Sequence, residues 1–458
     1  MTDFAMDAPA FIRPAAPWPR RRTPSLLTAL RLLRDNPITA FAAVAYDAPS
    51  LEIGRGRKRV TLVNDPADIE QVLVRNAERY AKSDQQQRRL KPALKDGLLT
   101  AEGDEWRSAR RVAAPLFSPR AIAALSSDMR FAADAMARRW LERADDTPLD
   151  LSAEFQRLTY EIVSRTVFSG ALDEDRVRIH ASMAIYFDTL GRIDVASVLG
   201  LPKWWPSLSA VRARPSLRVF RGVVDRVVRE RSAAPGREAA DLLDRLMRAP
   251  DPVTGRTLPT HAVADNVLTF LSAGHETTGN ALAWILYLLA LFPEAEARIR
   301  EELEGLSGAT PDREAIERLT FSRAVVNEAM RLYPPAPFIG REALEADELS
   351  GQRIARGDEV VISPWIVHRR RALWDEPDQF RPERFLPGAP EIPRGAFIPF
   401  GLGPRICIGQ GFALQEILIV LARILPAFRF TLAAPEKVFP QARITLQPAG
   451  LWMTVRPT

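Results

Sequence analysis

The stretch Phe400-Gly401-Leu402-Gly403-Pro404-Arg405-Ile406-Cys407-Ile408-Gly409 carries the one cysteine of this 458-residue chain. A disulfide needs a second cysteine, and a tetrahedral zinc site draws on several Cys or His ligands, so Cys407 serves neither use. A small buried thiol and a single-thiolate metal ligand remain open. Glycines at 401, 403 and 409 let the backbone turn tightly and approach a flat group. The apolar run over residues 410–425 predicts a buried helix that starts beside the sulfur, where free amide N–H groups stabilise a thiolate.

Three other segments stand out. Ala273-Gly274-His275-Glu276-Thr277-Thr278 lies inside a proline-free run, residues 263–291, whose periodicity predicts one long helix. Glu276 and Thr277 form an acid–alcohol pair able to hold water and relay protons; alternatively, Thr277 bonds back to a carbonyl one turn earlier and Glu276 sits on a solvated face. Glu328-Ala329-Met330-Arg331 places an acid and a base on one helix face, by default a surface ion pair, and Leu332-Tyr333-Pro334-Pro335 ends that helix. Gly103-Asp104-Glu105-Trp106-Arg107-Ser108-Ala109-Arg110-Arg111 reads as a basic helix with Trp106 and Arg110 on one side. His275 occupies an uninformative position, and His368 is read as a strand-end hydrogen-bonding residue and not as a ligand.

Together these segments resemble the cytochrome P450 family. Phe400, Gly403, Arg405, Cys407 and Gly409 fill all five fixed positions of its haem-ligand loop, and the other motifs follow in the family's order. The resemblance implies a mainly α fold with a small β region, one large domain over residues 1–458 with no reductase domain, haem b as cofactor and the Cys407 thiolate as the iron ligand. It assigns haem contacts to Phe400, Gly401, Arg405, Ile408, Gly409, Trp106, Arg110 and Arg341, and an oxygen-side face to residues 263–291, with Ala273 and Gly274 leaving room beside the iron. Glu276 and Thr277 become the catalytic pair. Glu328 and Arg331 join Arg384, of Arg381-Pro382-Glu383-Arg384-Phe385, in a buried network that holds the haem loop. Substrate contacts are expected from Ala273, Ala336, Phe338, Ile339 and Leu451, with further lining from the segment after Lys82, residues 186–205, Leu271 and Trp452.

The implied activity is monooxygenation of an apolar small molecule, such as a fatty acid, alkane or terpenoid, using dioxygen and two externally supplied electrons. A peroxide-driven or rearranging haem-thiolate enzyme and a non-enzymatic haem gas sensor are the alternatives.

Composition is consistent with this. The chain is 47% hydrophobic and 26% charged, as in ordinary globular proteins, and no Gly/Ser linker or repeat divides it. Residues 58–63 and 359–362 alternate as strands. A net charge of +6 raises nucleic-acid binding, but the arginines are dispersed and no nucleic-acid motif accompanies them. Arg107, Arg110, Arg111 and Arg405 instead suggest a surface for an acidic electron donor, a ferredoxin or flavodoxin served by its own reductase. The N-terminal residues are broken by Pro9, Pro14 and Pro17, and residues 23–33 form a short amphipathic pattern beside Arg20, Arg21, Arg22 and Arg31. No run approaches the roughly 18–20 apolar residues of a membrane span, so a soluble, cytoplasmic monomer is expected.

Overall fold

The Thr260–Leu291 helix organises the molecule. Its 32 residues make it about 48 Å long at 1.5 Å per residue. It starts three residues before the apolar stripe because Pro259, extended and without an N–H, sets the N-terminus, while the exposed first turn carries no hydrophobic signal. The computed structural model describes residues 12–55, 58–143, 146–172, 175–191, 208–233, 241–304 and 313–458.

Leu151–Phe168 packs along this central helix, and Gly279 permits the close approach: a Cβ there would lie 3.1 Å from the Gln156 amide nitrogen. The Thr159 hydroxyl donates to the His275 carbonyl across the same contact. The C-terminal half of the central helix enters a large core with Phe155, Leu418 and Val420, where Trp284 stacks on Tyr333 at 3.7 Å. Its N-terminal half meets Phe220 and Val224 of Leu208–Ser232 in a second core. Gln410–Ile424, the helix predicted after the cysteine, lies between Ser126–Leu141 and the central helix.

The small β region flanks these helices. Its main sheet runs in the order Ser50–Arg55, Arg59–Val63, Glu359–Ile362, Ile339–Ala343, Tyr80–Lys82. The two strands expected from alternation, Arg59–Val63 and Glu359–Ile362, pair with each other in parallel. Tyr80–Lys82 pairs antiparallel with Ile339–Ala343, setting Lys82 opposite Arg341. A hairpin of Phe439–Ala442 and Leu446–Ala449 rests on the central helix. This is the mainly α, single-domain arrangement with small sheets that the motifs imply. Among the described residues no helix is long and apolar enough to cross a membrane.

Candidate active site

The loop before Cys407 is built by short-range bonds. The Cys407 N–H donates to the Phe400 carbonyl at 2.9 Å, and Gly401 N–H to Ile398 O at 3.1 Å. Gly401 and Gly403 both take φ of +75°, a conformation that favours glycine. Gly403 is further constrained because a Cβ would fall 1.9 Å from the Leu73 carbonyl oxygen. Its close approach is therefore to protein backbone. Gly409 caps the following helix and donates its backbone N–H toward the sulfur.

Cys407 is accessible, yet burial raises its pKa, opposed by the Gly409 N–H and by the Arg110 charge. Accessibility combined with heavy desolvation describes a side chain lining an internal recess and not the outer surface. The central helix shows the same feature: from residue 263 to 289 every position is buried except Ala273, Gly274 and Thr277. These lie within one turn of each other, so the helix opens a single window of small side chains. Just beyond it, Thr278 approaches Glu416 on the helix that starts after Cys407.

Within the window, the Thr277 hydroxyl donates to the Ala273 carbonyl at 2.6 Å, the back-bonded arrangement considered from sequence. Glu276 is not on a solvated face. It is buried, its carboxyl accepts the Gln447 side-chain amide, and burial raises its pKa against the lowering effect of Gln447 and Thr445. Acid and alcohol are neighbours in the chain, but no direct hydrogen bond joins them.

At the recess edge, Trp106 and Arg110 share a face of Gly103–Ala113, as predicted. The Arg405 guanidinium lies 3.8 Å from the Trp106 ring centroid and pairs with Glu102. The Lys82–Arg341 register adds two cations: burial, then Arg341 and Arg405, lowers Lys82 to about 7, and burial, then Arg405, lowers Arg341 to about 10. Lys82, Arg341 and Arg405 thus face one carboxylate, Glu102. The remaining arginines expected to greet an electron donor are largely engaged: Arg111 holds buried Asp251 through two bonds of 2.8 and 2.7 Å, and Arg107 pairs with Asp104.

The loop is held from behind. Glu328 and Arg331 are fully buried, so the reading as a surface ion pair fails. All five Arg331 N–H groups are used: two go to Glu328 and the others to the carbonyls of His368, Pro377 and Gln379. Arg384 is a looser third member, its Nε 3.5 Å from Glu328 without hydrogen-bond geometry, while the Arg381 backbone N–H makes the direct bond at 2.8 Å. His368 follows the short Pro364–Val367 helix. Its Nδ1 bonds the Arg331 carbonyl and its Nε2 accepts the Ile398 N–H at 3.0 Å. With its pKa lowered to about 3 by burial, this neutral ring connects the ion pair to the cysteine loop.

Of the expected substrate positions, Ala273 and Ala336 are open and Phe338 and Ile339 are half-buried, whereas Leu451 and Leu271 are fully buried in the two cores. Tyr186 is buried and donates to Arg89 O at 2.9 Å; residues 192–205 of that segment lie outside the described residues. Sequence reasoning missed Lys82, Glu102, Gln447 and Glu416. Glu416 is buried with neither carboxylate oxygen hydrogen-bonded in good geometry, and burial raises its pKa well above the ordinary value. A lone acid in an apolar helical run was its available signal.

These residues fit a haem on grounds of their own chemistry. An accessible but desolvated thiol beside Arg110, a small-residue window on the central helix next to Thr278, which approaches the helix starting after that thiol, and cations in excess of acids at Lys82, Arg341 and Arg405 are what a thiolate-bound haem with two propionates requires.

Comparison with known proteins agrees. The family model for cytochrome P450 matches residues 17–454. The chain is 32% identical over 429 residues to the cyclooctatin synthase of Streptomyces melanosporofaciens, covering 93% of this chain and 92% of that protein. It is 31% identical over 422 residues to that organism's cyclooctat-9-en-7-ol 5-monooxygenase, covering 91% and 90%. It is also 32% identical over 369 residues to a bifunctional cytochrome P450/NADPH–P450 reductase of Bacillus subtilis, covering 79% of this chain and 35% of that longer protein. The chain belongs to the cytochrome P450 family and is a cytochrome P450 monooxygenase.

Proposed function

We propose that this P450 hydroxylates or epoxidises an apolar, terpenoid-like molecule at a haem held by Cys407, with electrons from a separate protein. The carrying observation is the window of Ala273, Gly274 and Thr277 in a helix that is otherwise buried throughout its central 27 residues, 263–289. Bound haem supplies dioxygen activation, with the thiolate donating electron density to the iron. Phe400 and the Gly409 N–H would shield and stabilise the sulfur, while Arg110, Arg341 and Arg405, joined by Lys82, would neutralise the propionates and Trp106, packed on Arg405, would offer a neutral N–H donor.

Glu276 acts as a proton reservoir: burial raises its pKa, so it retains a proton to higher pH than a surface carboxylate. The Gln447 side-chain amide donates to that carboxyl. Delivery requires the acid to leave the Gln447 amide, with Thr277, whose hydroxyl lies at the window, orienting water at its end of the path. Substrate class rests on open apolar positions at Ala273 and Ala336, on half-buried Phe338 and Ile339, and on the relatives named for cyclooctatin and cyclooctat-9-en-7-ol. Single-chain fusion with a reductase in the Bacillus relative agrees with the electron requirement.

The test is reductant-dependent oxygen consumption with product analysis on purified holoprotein and an added ferredoxin and reductase. Oxygen and reductant consumed together with oxygenated product support the reading; turnover with peroxide alone favours the peroxide-driven alternative, and gas binding without turnover the sensor. Cys407→Ser should abolish the thiolate signature of the reduced carbon monoxide complex. An unchanged spectrum would remove Cys407 as the ligand.

A further inference from the structure

The N-terminal corner has a surface that the haem chemistry does not use. The Leu26–Asp35 helix contains five leucines, yet none of its residues is buried. Leu26 and Leu27 are 69% and 81% exposed, and Trp18, a few residues earlier, is 75% exposed. The corner is anchored and does not fray away: the Asn36 side chain donates to Pro440 O at 2.9 Å and accepts the Ala442 N–H at 3.0 Å, and Arg20 bonds through its backbone to Phe41 and Ala43. Two further exposed apolar residues, Val44 and Phe439, adjoin these anchor points.

Charge concentrates here as well. Residues 12–46 contain six arginines and one acid, Asp35, so this short segment accounts for five of the chain's net six positive charges. Asp35 engages Arg31 and Arg34, whereas Arg21 and Arg22 are exposed and have no ion pair among the described residues. Exposed leucine and tryptophan beside unpaired arginine is the composition of a helix that lies in the headgroup layer of an anionic bilayer, with apolar side chains inserted and guanidiniums on phosphates.

We propose that the Trp18–Arg34 segment docks this enzyme peripherally on anionic lipid surfaces. Charge complementarity selects the occupant: a second copy of this chain would place like-charged arginines against each other across the contact. The leucines supply insertion and the arginines supply preference for anionic headgroups. An apolar substrate dissolved in a membrane would then be concentrated beside the enzyme.

The experiment is flotation of full-length holoprotein with phosphatidylcholine vesicles containing or lacking phosphatidylglycerol, at low and high salt. The variants are Leu26→Ser/Leu27→Ser and Arg21→Glu/Arg22→Glu, all at exposed positions, with haem content and sedimentation velocity measured alongside. Wild type should float with the anionic vesicles only, and salt should release it. Each arginine near the surface contributes roughly fivefold to partitioning and each inserted leucine roughly tenfold, so either double variant should bind at least about tenfold more weakly while keeping its haem. No flotation of wild type, or equal flotation of all three proteins, would overturn the proposal. So would a wild-type dimer that the leucine variant dissolves without any lipid binding.

Discussion

Breaking the Glu328–Arg331 pair tests whether the haem loop is held by a desolvated ion pair. Both side chains have no exposed surface, and Arg331 has no spare N–H donor. Glu328→Gln keeps the shape but leaves the guanidinium buried without a counter-charge, which costs about 3–5 kcal/mol. Arg331→Lys keeps the charge but offers three donors in place of five, leaving carbonyls among His368, Pro377 and Gln379 unmet at about 1–3 kcal/mol each. Against a total stability of about 5–15 kcal/mol, either change removes a large share. The double variant Glu328→Met/Arg331→Met should be less destabilised than the sum of Glu328→Met and Arg331→Met, because it leaves no orphaned charge. Urea unfolding followed by fluorescence, with the haem absorption band read in parallel, measures both terms. Haem should be lost before global unfolding, since the His368 ring transmits the pair's position to Ile398 and thence to the cysteine loop. Glu328→Gln and Arg331→Lys each within about 1 kcal/mol of wild type, the range of an exposed pair, would refute the reasoning.

Thr277→Ala removes one hydroxyl from the window and breaks a local bond to Ala273 O, so stability should fall by no more than about 1 kcal/mol. Product formed per reductant consumed should drop severalfold with a matching rise in released peroxide, and equal coupling would exclude Thr277 from proton delivery. Lys82 has its pKa lowered from 10.5 to about 7; propionates beside it raise that value again, so haem binding takes up a proton there at pH values above about 7. The Lys82 contribution to binding, read as the difference between wild type and Lys82→Met, should therefore grow as pH falls toward 7 and level off below it. The proton released by the thiol is common to wild type and Lys82→Met and cancels in their difference, leaving an uptake that approaches ~1 proton at pH 8 by the same linkage. Calorimetry in buffers of different ionisation enthalpy measures it, and identical proton counts in the two proteins would separate Lys82 from the propionates.

What could be read from the sequence was whatever depends on one turn of helix or one tight loop. Trp106 and Arg110, Glu328 and Arg331, and the 273–277 window are set by helical spacing, which the chain carries locally. The glycines of the cysteine loop were legible as conformational requirements, but not the partner of Gly403, because Leu73 reaches it only through tertiary packing. Strand pairing has no such local record. Lys82 joins Arg341 because two short strands meet in one particular register, and a shift of one residue would turn the lysine to the other face. The buried acid Glu276 is a similar case: its position in the helix was predictable, but its hydrogen bond to Gln447 comes from a hairpin near the other end of the chain. The residues that carry a charge into the site could thus be named in advance where a helix aligns them, whereas those that tune its pKa values come from distant strands. In this P450 helical spacing sets which side chains share a face, and the pairing of remote segments sets the surroundings that shift their pKa values.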